Sequence, residues 1–101
     1  MSPADAVYRE RAHLVALLAS IYPSVITPAS DLDFPDWWLV YITAGRDQLS
    51  WHIAPQDMEL FSHVQVVPPT DPRAVWDGHT TEMKYERIDR LAQALAYGTV
   101  A

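Results

Sequence analysis

The sequence groups several chemically capable side chains at the start of one helix. Residues 76–82 read Trp-Asp-Gly-His-Thr-Thr-Glu, and a helical pattern follows directly. Asp77 and His79 can transfer a proton, and the N–H groups of a helix start can hold an anion or a carbonyl oxygen. The segment therefore predicts a site for a small ligand or a hydrolytic reaction, with Trp76, Asp77, His79 and Thr80 as its residues.

The same segment has a structural interpretation, in which it is a latch that fixes the helix start, and the sequence favours this interpretation. Gly78 permits a positive φ, Asp77 can close an Asx turn, and Thr80 or Thr81 can cap the helix. Trp76 would then fill a groove between the helix and the sheet. The motif is not a phosphate-binding loop, because it has one glycine and no lysine directly after it.

Ser50 and His52 form a second candidate group. They stand two residues apart on a predicted strand and therefore share a face, about 7 Å apart. Together with Asp77 they contain the side-chain types of nucleophilic catalysis, but no glycine-flanked elbow surrounds Ser50, so this signal is weak. A half-exposed histidine without a catalytic role is the commoner case. Alternatively, His52 and His79 face each other across one cleft, with Ser50 beside them.

A zinc site is the least favoured interpretation of the histidines. Imidazole nitrogens and carboxylate oxygens are suitable zinc ligands, but no His-x-His or His-x-x-x-His pair places two ligands on one element. We therefore predict no metal and no other cofactor, assign no catalytic residue, and favour a protein that is not an enzyme. The candidate ligands weighed here are His52, His63 and His79, with Asp77 or Asp57.

Composition excludes several classes of protein. The 101 residues suffice for one modest core, so we predict a single domain over residues 1–101. Thirteen acidic and seven basic side chains give a net charge of −6, which argues against direct binding of nucleic acid. There is no cysteine, no signal-peptide pattern, and no apolar run near the roughly 18 residues of a membrane span. We expect an acidic cytoplasmic protein that does not bind a membrane.

The elements that must position these groups predict an α+β fold. An apolar stripe at helical spacing predicts an N-terminal helix, and proline-rich and aspartate-rich sequence after it predicts a surface loop. Two runs rich in aromatic and β-branched residues flank a turn and predict an antiparallel β-hairpin, which the N- and C-terminal helices must cover. The predicted elements are the helix 3–22, the loop 23–36, the strands 37–43 and 48–53, a short helix 56–63, an extended segment 64–75 in which a third strand at 64–67 stays open, and a C-terminal helix packed on the sheet, from near Thr80 to a stop at Gly98.

The adjacent tryptophans Trp37 and Trp38 leave two interpretations open. Successive side chains on a strand point to opposite faces, so both indoles are buried only if both faces of the sheet are covered. An outward indole near Tyr41 would instead anchor an interface, because Trp and Tyr are enriched in binding hot spots. The interface interpretation predicts contact through Trp37, Trp38 and Tyr41, and a homodimer is one form that it can take.

Two segments resemble a family of small uncharacterised proteins from bacteriophages and prophages. The segments are Leu49-Ser50-Trp51-His52-Ile53, followed by Asp57 and Leu60-Phe61, and the run 76–82 with Lys84-Tyr85 and Arg87. The match covers about residues 48–88. The family has no established activity, so the resemblance assigns no catalytic role. It implies a small accessory protein in the cytoplasm of a bacterial host cell.

We therefore expect a phage-type accessory protein that binds a host or phage macromolecule, as an inhibitor or a host-takeover factor would. An acidic surface suits a basic partner, or mimicry of nucleic acid toward a DNA-binding protein. The alternative is the ligand-binding or hydrolytic site at the helix start together with His52. One observation separates them, because His52 and His79 must converge in one concave pocket if there is a site.

Overall fold

A four-stranded mixed sheet organises the chain. The structure, a computed structural model, describes residues 3–29 and 35–96. The strand order is β3-β2-β1-β4, with β2 antiparallel to both of its neighbours and β4 parallel to β1. The elements are α1 (Pro3–Glu10), α2 (Ala12–Ile21), β1 (Ser24–Pro28), β2 (Trp38–Ala44), β3 (Asp47–Ile53), a 3₁₀ helix (Pro55–Phe61), β4 (Gln65–Val66), a second 3₁₀ helix (Pro72–Ala74) and α3 (Thr81–Ala96).

One face of the sheet carries the main core. Strand β3 alternates so that Leu49, Trp51 and Ile53 are buried in one cluster with side chains of the three helices. The Trp51 side chain is 0% exposed, and its indole N–H donates a hydrogen bond of 3.2 Å to the backbone oxygen of Tyr8. The ring of Trp51 also meets the ring of Tyr8 edge to face, at 4.9 Å between centroids. Trp51 is therefore the core residue that the alternation predicts.

The other face of the sheet holds a smaller apolar cluster and the polar side chains of β3. Val25 and Tyr41 stand opposite each other on β1 and β2, and they pack with Val67 and Ala74 from the segment that follows β4. Ser50 is opposite Tyr41 in the neighbouring pair of strands. The sheet is therefore covered on both faces, by helices on one and largely by extended chain on the other.

The predicted α+β class, the hairpin and the C-terminal helix are confirmed. The prediction of a single N-terminal helix is wrong. The helix is interrupted at Arg11, where φ is −98° and ψ is 6°, so α1 and α2 are separate helices. The break lets the Arg11 guanidinium lie over the ring of Tyr85, at 5.7 Å, while it pairs with Asp89 on α3 at 3.4 Å. The predicted short helix is present as a 3₁₀ helix. The third strand, which the sequence left undecided, is present as β4.

The predicted loop at residues 23–36 is wrong in its first part, because Ser24–Pro28 forms β1 in the interior of the sheet. Its three central side chains, Val25, Ile26 and Thr27, are all buried. Prolines at both ends of this short β-branched run gave the loop signal, and they stand where the strand begins and ends. The remainder of the predicted loop at 30–34 and the helix stop at Gly98 lie outside the described residues.

Both tryptophans of the adjacent pair contact the main core. Trp37 and Trp38 are half-buried and pack against the cluster that contains Trp51, whereas Tyr41 is buried in the cluster of the other face. The sheet therefore does not need a second copy of the chain to cover these indoles. The interface through Trp37, Trp38 and Tyr41 and the homodimer stay predictions. No helix within the described residues is long and apolar enough to cross a membrane.

We predict that Trp51→Ala lowers the free energy of unfolding by about 3–5 kcal/mol, because it deletes a large, fully buried aromatic side chain. Chemical denaturation measures the loss. The matched control is Trp76→Ala, which removes an indole that is 55% exposed and should cost less than about 1 kcal/mol. A loss below about 1 kcal/mol for Trp51→Ala would contradict its place at the centre of the core.

Candidate functional site

A chain of hydrogen bonds joins the loop before α3 to strand β3. The Oγ atom of Ser50 lies 2.9 Å from Nε2 of His79, and Oδ1 of Asp77 binds the other ring nitrogen, Nδ1. Ser50 is 4% exposed and His79 is 3% exposed, so both residues are largely buried. The alternative in which Ser50 lies beside His79 is confirmed by this contact.

In the neutral form of His79, its partners fix the direction of each hydrogen bond. Because a carboxylate only accepts, Nδ1 of His79 donates its proton to Asp77. In a neutral imidazole Nε2 then carries a lone pair, and the hydroxyl of Ser50 donates to it. A serine, a histidine and an aspartate linked in this order are the arrangement that activates a serine hydroxyl as a nucleophile.

The short loop at residues 77–80 explains how two residues so close in sequence can take these roles. Gly78 has φ +91°, as predicted, and this conformation turns the chain so that Oδ1 of Asp77 also accepts from the backbone N–H of His79, at 3.1 Å. An added Cβ at Gly78 would meet nothing within 4 Å, so its φ, and not lack of space, demands glycine. The predicted cap is confirmed, since Thr80 Oγ1 accepts from Met83 N at 3.2 Å.

Two further side chains hold Asp77 in place. Arg87 on α3 donates to Oδ2 of Asp77 at 3.2 Å and also binds the backbone oxygen of Gln48. The Gln48 side chain accepts from the backbone N–H of Asp77 at 3.0 Å and donates to the oxygen of Val75 at 2.7 Å. The loop is thus fastened both to α3 and to β3.

These contacts lower the pKa of Asp77. Burial alone would raise the pKa, but the hydrogen bonds from the side chain and backbone of His79 and from Arg87 together outweigh it and hold the pKa below its usual value. Asp77 therefore stays ionised at neutral pH. An ionised carboxylate is the group that orients an imidazole and stabilises the imidazolium formed when it takes a proton.

Ser50 and His79 open onto a cavity of about 380 Å³ between the sheet and the start of α3. His52 lines the same cavity, so His52 and His79 do converge in one concave pocket. The indole of Trp76 forms part of the wall and meets the His79 ring at 5.7 Å between centroids. It is 55% exposed, so the expectation that it fills a groove is wrong. The described residues that line the cavity are Leu39, Tyr41, Ser50, His52, Trp76, His79, Thr80, Thr81 and Lys84.

The other candidate ligands for zinc lie elsewhere. His63 binds the backbone oxygen of Ala16 at 3.2 Å, and Asp57 pairs with Arg9 at 3.2 Å. Within residues 3–29 and 35–96, no three His, Cys, Asp or Glu side chains are grouped closely enough to hold a metal ion.

Sequence reasoning missed three residues of the site. Lys84 lines the cavity, while Gln48 and Arg87 fasten Asp77. Gln48 could have been found, because it shares the polar face of β3 with Ser50 and His52. Lys84 carried a weaker signal, as a charged side chain in the stripe of α3 that faces inward. Arg87 was named only within the family resemblance, and its charge alone did not distinguish it from the other charged residues of α3.

The fold and site define a class of protein: an α+β sheet protein with a hydrogen-bonded Ser–His–Asp group beside a cavity. The chain belongs to the WDGH domain family, whose family model matches residues 2–91. The four letters of that name are the residues Trp76-Asp77-Gly78-His79 of this chain. The matched range includes the segment 48–88 that carried the family resemblance. Comparison with curated proteins and with solved structures gives no match.

The lowered pKa of Asp77 predicts how stability depends on pH. The unfolded pKa of an aspartate is about 3.9, and the pKa in the folded protein is lower, so ionised Asp77 stabilises the fold fully above about pH 4. This contribution is lost as the pH falls through the folded-state pKa, where Asp77 becomes protonated in both states. We expect Asp77→Asn to cost about 1 kcal/mol at pH 7, a value reduced by solvent because Asp77 is partly exposed.

Urea denaturation of the wild type and of Asp77→Asn at pH 7 and at pH 3 measures this dependence. The difference in the free energy of unfolding between the two proteins should be smaller at pH 3 than at pH 7. The control is Asp89→Asn, which removes a carboxylate that is 62% exposed and pairs with Arg11. It should change stability at pH 7 by less than Asp77→Asn does. If the loss in the free energy of unfolding caused by Asp77→Asn were larger at pH 3 than at pH 7, the lowered pKa of Asp77 would be contradicted.

Proposed function

We propose that the cavity binds a small molecule and that Ser50 attacks it as a nucleophile, in an acyl-transfer reaction such as the hydrolysis of an ester or amide. The observation that carries the proposal is the chain of hydrogen bonds from Ser50 through His79 to Asp77, with Ser50 and His79 on the cavity wall. This is the hydrolytic alternative of the sequence analysis, and it gives His79 the role of the base.

The proposed reaction has two steps. In the first, Nε2 of His79 takes the proton of Ser50, Oγ of Ser50 bonds to the acyl carbon, and the bond to the leaving group breaks after that group receives the proton from Nε2. In the second, a water molecule gives a proton to Nε2 and attacks the acyl carbon. The bond between Oγ of Ser50 and the acyl carbon then breaks, which releases the acid, and Oγ takes the proton back from Nε2. Asp77 stays ionised throughout and stabilises the imidazolium of His79.

The cavity wall also offers groups for the negative charge that develops on the acyl oxygen. Thr81 is the first residue of α3, and the N–H groups of a first helical turn have no carbonyl of their own helix to bind. Lys84 lines the same cavity, and its ammonium group, which lies 3.4 Å from the hydroxyl of Tyr8, is a hydrogen-bond donor. Donors fixed in this way before the reaction stabilise the transition state at little cost of reorganisation.

Labelling with a fluorophosphonate tests the proposal. An activated serine displaces fluoride from phosphorus and keeps the phosphonyl group as a stable mass increase. We expect an adduct on Ser50, no adduct with Ser50→Ala, and at least a hundredfold slower labelling with His79→Gln, since a general base contributes about 10²–10⁴-fold. Ser24→Ala is the matched control, because Ser24 also lies on a strand but binds the oxygen of Tyr22 instead of a histidine. It should label like the wild type.

Thermal unfolding of each variant accompanies the labelling. A folded wild-type protein in which Ser50 stays unlabelled would contradict the proposal. The hydrogen bonds of His79 would then serve only as a latch between the loop and the sheet.

We also propose, as a second candidate, binding of a host or phage macromolecule through the rim of the cavity, with phage infection as the context. The side chains of Val75 and Trp76 support it, because they are adjacent in the chain and are 62% and 55% exposed. Exposed apolar side chains next to each other favour a contact surface, and Trp is the residue most enriched in hot spots.

We predict for this candidate that Trp76→Ala weakens partner binding by at least tenfold without unfolding the protein. Affinity capture from host lysate followed by calorimetry with the purified partner measures the effect. Trp38→Ala serves as the control for the hairpin aromatics, and binding that depends on Trp38 and not on Trp76 would place the contact surface at the hairpin.

A further inference from the structure

The backbone on both sides of Trp76 is clamped by one side chain of β3. The amide group of Gln48 donates to the oxygen of Val75 at 2.7 Å and accepts from the N–H of Asp77 at 3.0 Å. These two groups belong to the peptide bonds that flank Trp76, so the clamp fixes the chain at this residue. The residue itself is nevertheless 55% exposed. An exposed aromatic residue on a fixed backbone loses little freedom when a ligand covers it.

The ring of His79 covers at most one face of the Trp76 indole. The two rings meet edge to face, with an angle of 63° between their planes and 5.7 Å between their centroids. Trp76 lines the same cavity as Ser50 and His79. The indole therefore stands beside the proposed reactive atoms and offers aromatic surface that a substrate can cover.

The sheet adds apolar surface to this cavity. Leu39 and Tyr41 on β2 line it, and Ser50 on β3 stands opposite Tyr41. Cavities that bind small molecules are lined mainly by apolar and aromatic side chains, with a few polar groups that orient the ligand. A group bonded to Oγ of Ser50 therefore has apolar side chains of the sheet and the indole of Trp76 within the same cavity.

We propose that the substrate carries an aromatic ring next to the bond that is broken, and that Trp76 selects this ring by stacking. Aromatic rings attract each other beyond the effect of the area that they bury, and a saturated ring, which has no π-system, lacks this contribution. The proposal deepens the acyl-transfer function and rests on it for the choice of esters as probes. Trp76 is the specificity residue, and Ser50 and His79 act on the acyl carbon.

Two pairs of esters, each with an aromatic and a saturated member, test the inference. Ethyl phenylacetate and ethyl cyclohexylacetate carry the ring on the acyl side, whereas benzyl acetate and cyclohexylmethyl acetate carry it on the alcohol side. The readout is the ratio of kcat/KM for the aromatic member to kcat/KM for the saturated member. In at least one pair we expect this ratio to be about two- to tenfold higher in the wild type than in Trp76→Leu, the factor that an aromatic pair provides. The pair that responds identifies the side of the substrate that carries the ring.

Comparison with Trp76→Leu cancels the intrinsic reactivity of the esters, and this variant keeps an apolar side chain while it removes the aromatic ring. Trp76→Phe should retain at least part of the preference. Val75→Ala is the matched control, because Val75 is adjacent in the chain and 62% exposed but does not line the cavity. It should leave the ratio unchanged. An equal fall of the ratio in Val75→Ala would trace the preference to apolar surface outside the cavity and overturn the role of Trp76.

The outcomes separate the inference from the function on which it rests. Hydrolysis that depends on Ser50, with ratios in both pairs that Trp76→Leu leaves unchanged, overturns the inference and leaves acyl transfer standing. If no ester is hydrolysed in a manner that depends on Ser50, acyl transfer fails, and ligand binding decides the inference alone.

Binding is measured in NMR spectra by the indole N–H signal of Trp76, which is assigned by its absence in Trp76→Phe. Phenylacetamide should shift this signal with a Kd about two- to tenfold lower than that of cyclohexylacetamide, for the same reason as in the esters. Equal Kd values for the two amides, or no shift with either, would overturn the inference.

Discussion

The hydrogen bond between Ser50 and His79 is the contact on which the second face of the sheet depends. Both side chains are buried, and a buried polar group without a partner costs about 1–3 kcal/mol. Each therefore requires the other, and the loop that carries His79 must lie against β3. The start of α3 is fixed in turn, because Thr80 caps that helix one residue after His79.

The orientation of His79 depends on a second layer of contacts. Asp77 sets the ring through Nδ1, and Asp77 is itself held by Arg87 from α3 and by Gln48 from β3. The positive φ of Gly78 makes this possible within three residues of chain. A charged group that is hydrogen-bonded on several sides loses little freedom when a ligand arrives, and such preorganisation is what a polar catalytic group requires.

Much of the site could be predicted from local signals in the sequence. Alternation on β3 put Ser50 and His52 on one face and Trp51 on the other, and the Asp-Gly-His spacing predicted the turn at Gly78. The strand β1 could not be found in this way, because its prolines indicate a loop and its pairing partners lie ten or more residues away in sequence. The cavity could not be predicted either, since its walls come from strands and a helix start that meet only in the folded chain.

A latch and a reactive site both require the hydrogen bonds of His79, so these contacts alone do not separate the two. The open space beside them favours a site that admits a small molecule. A latch is strongest where its polar groups are fully enclosed. Here Ser50 and His79 border about 380 Å³ of space, and the exposed indole of Trp76 forms part of its wall. A purely structural contact needs neither the space nor an exposed tryptophan, whereas a site that admits a small molecule needs an opening beside its reactive atoms.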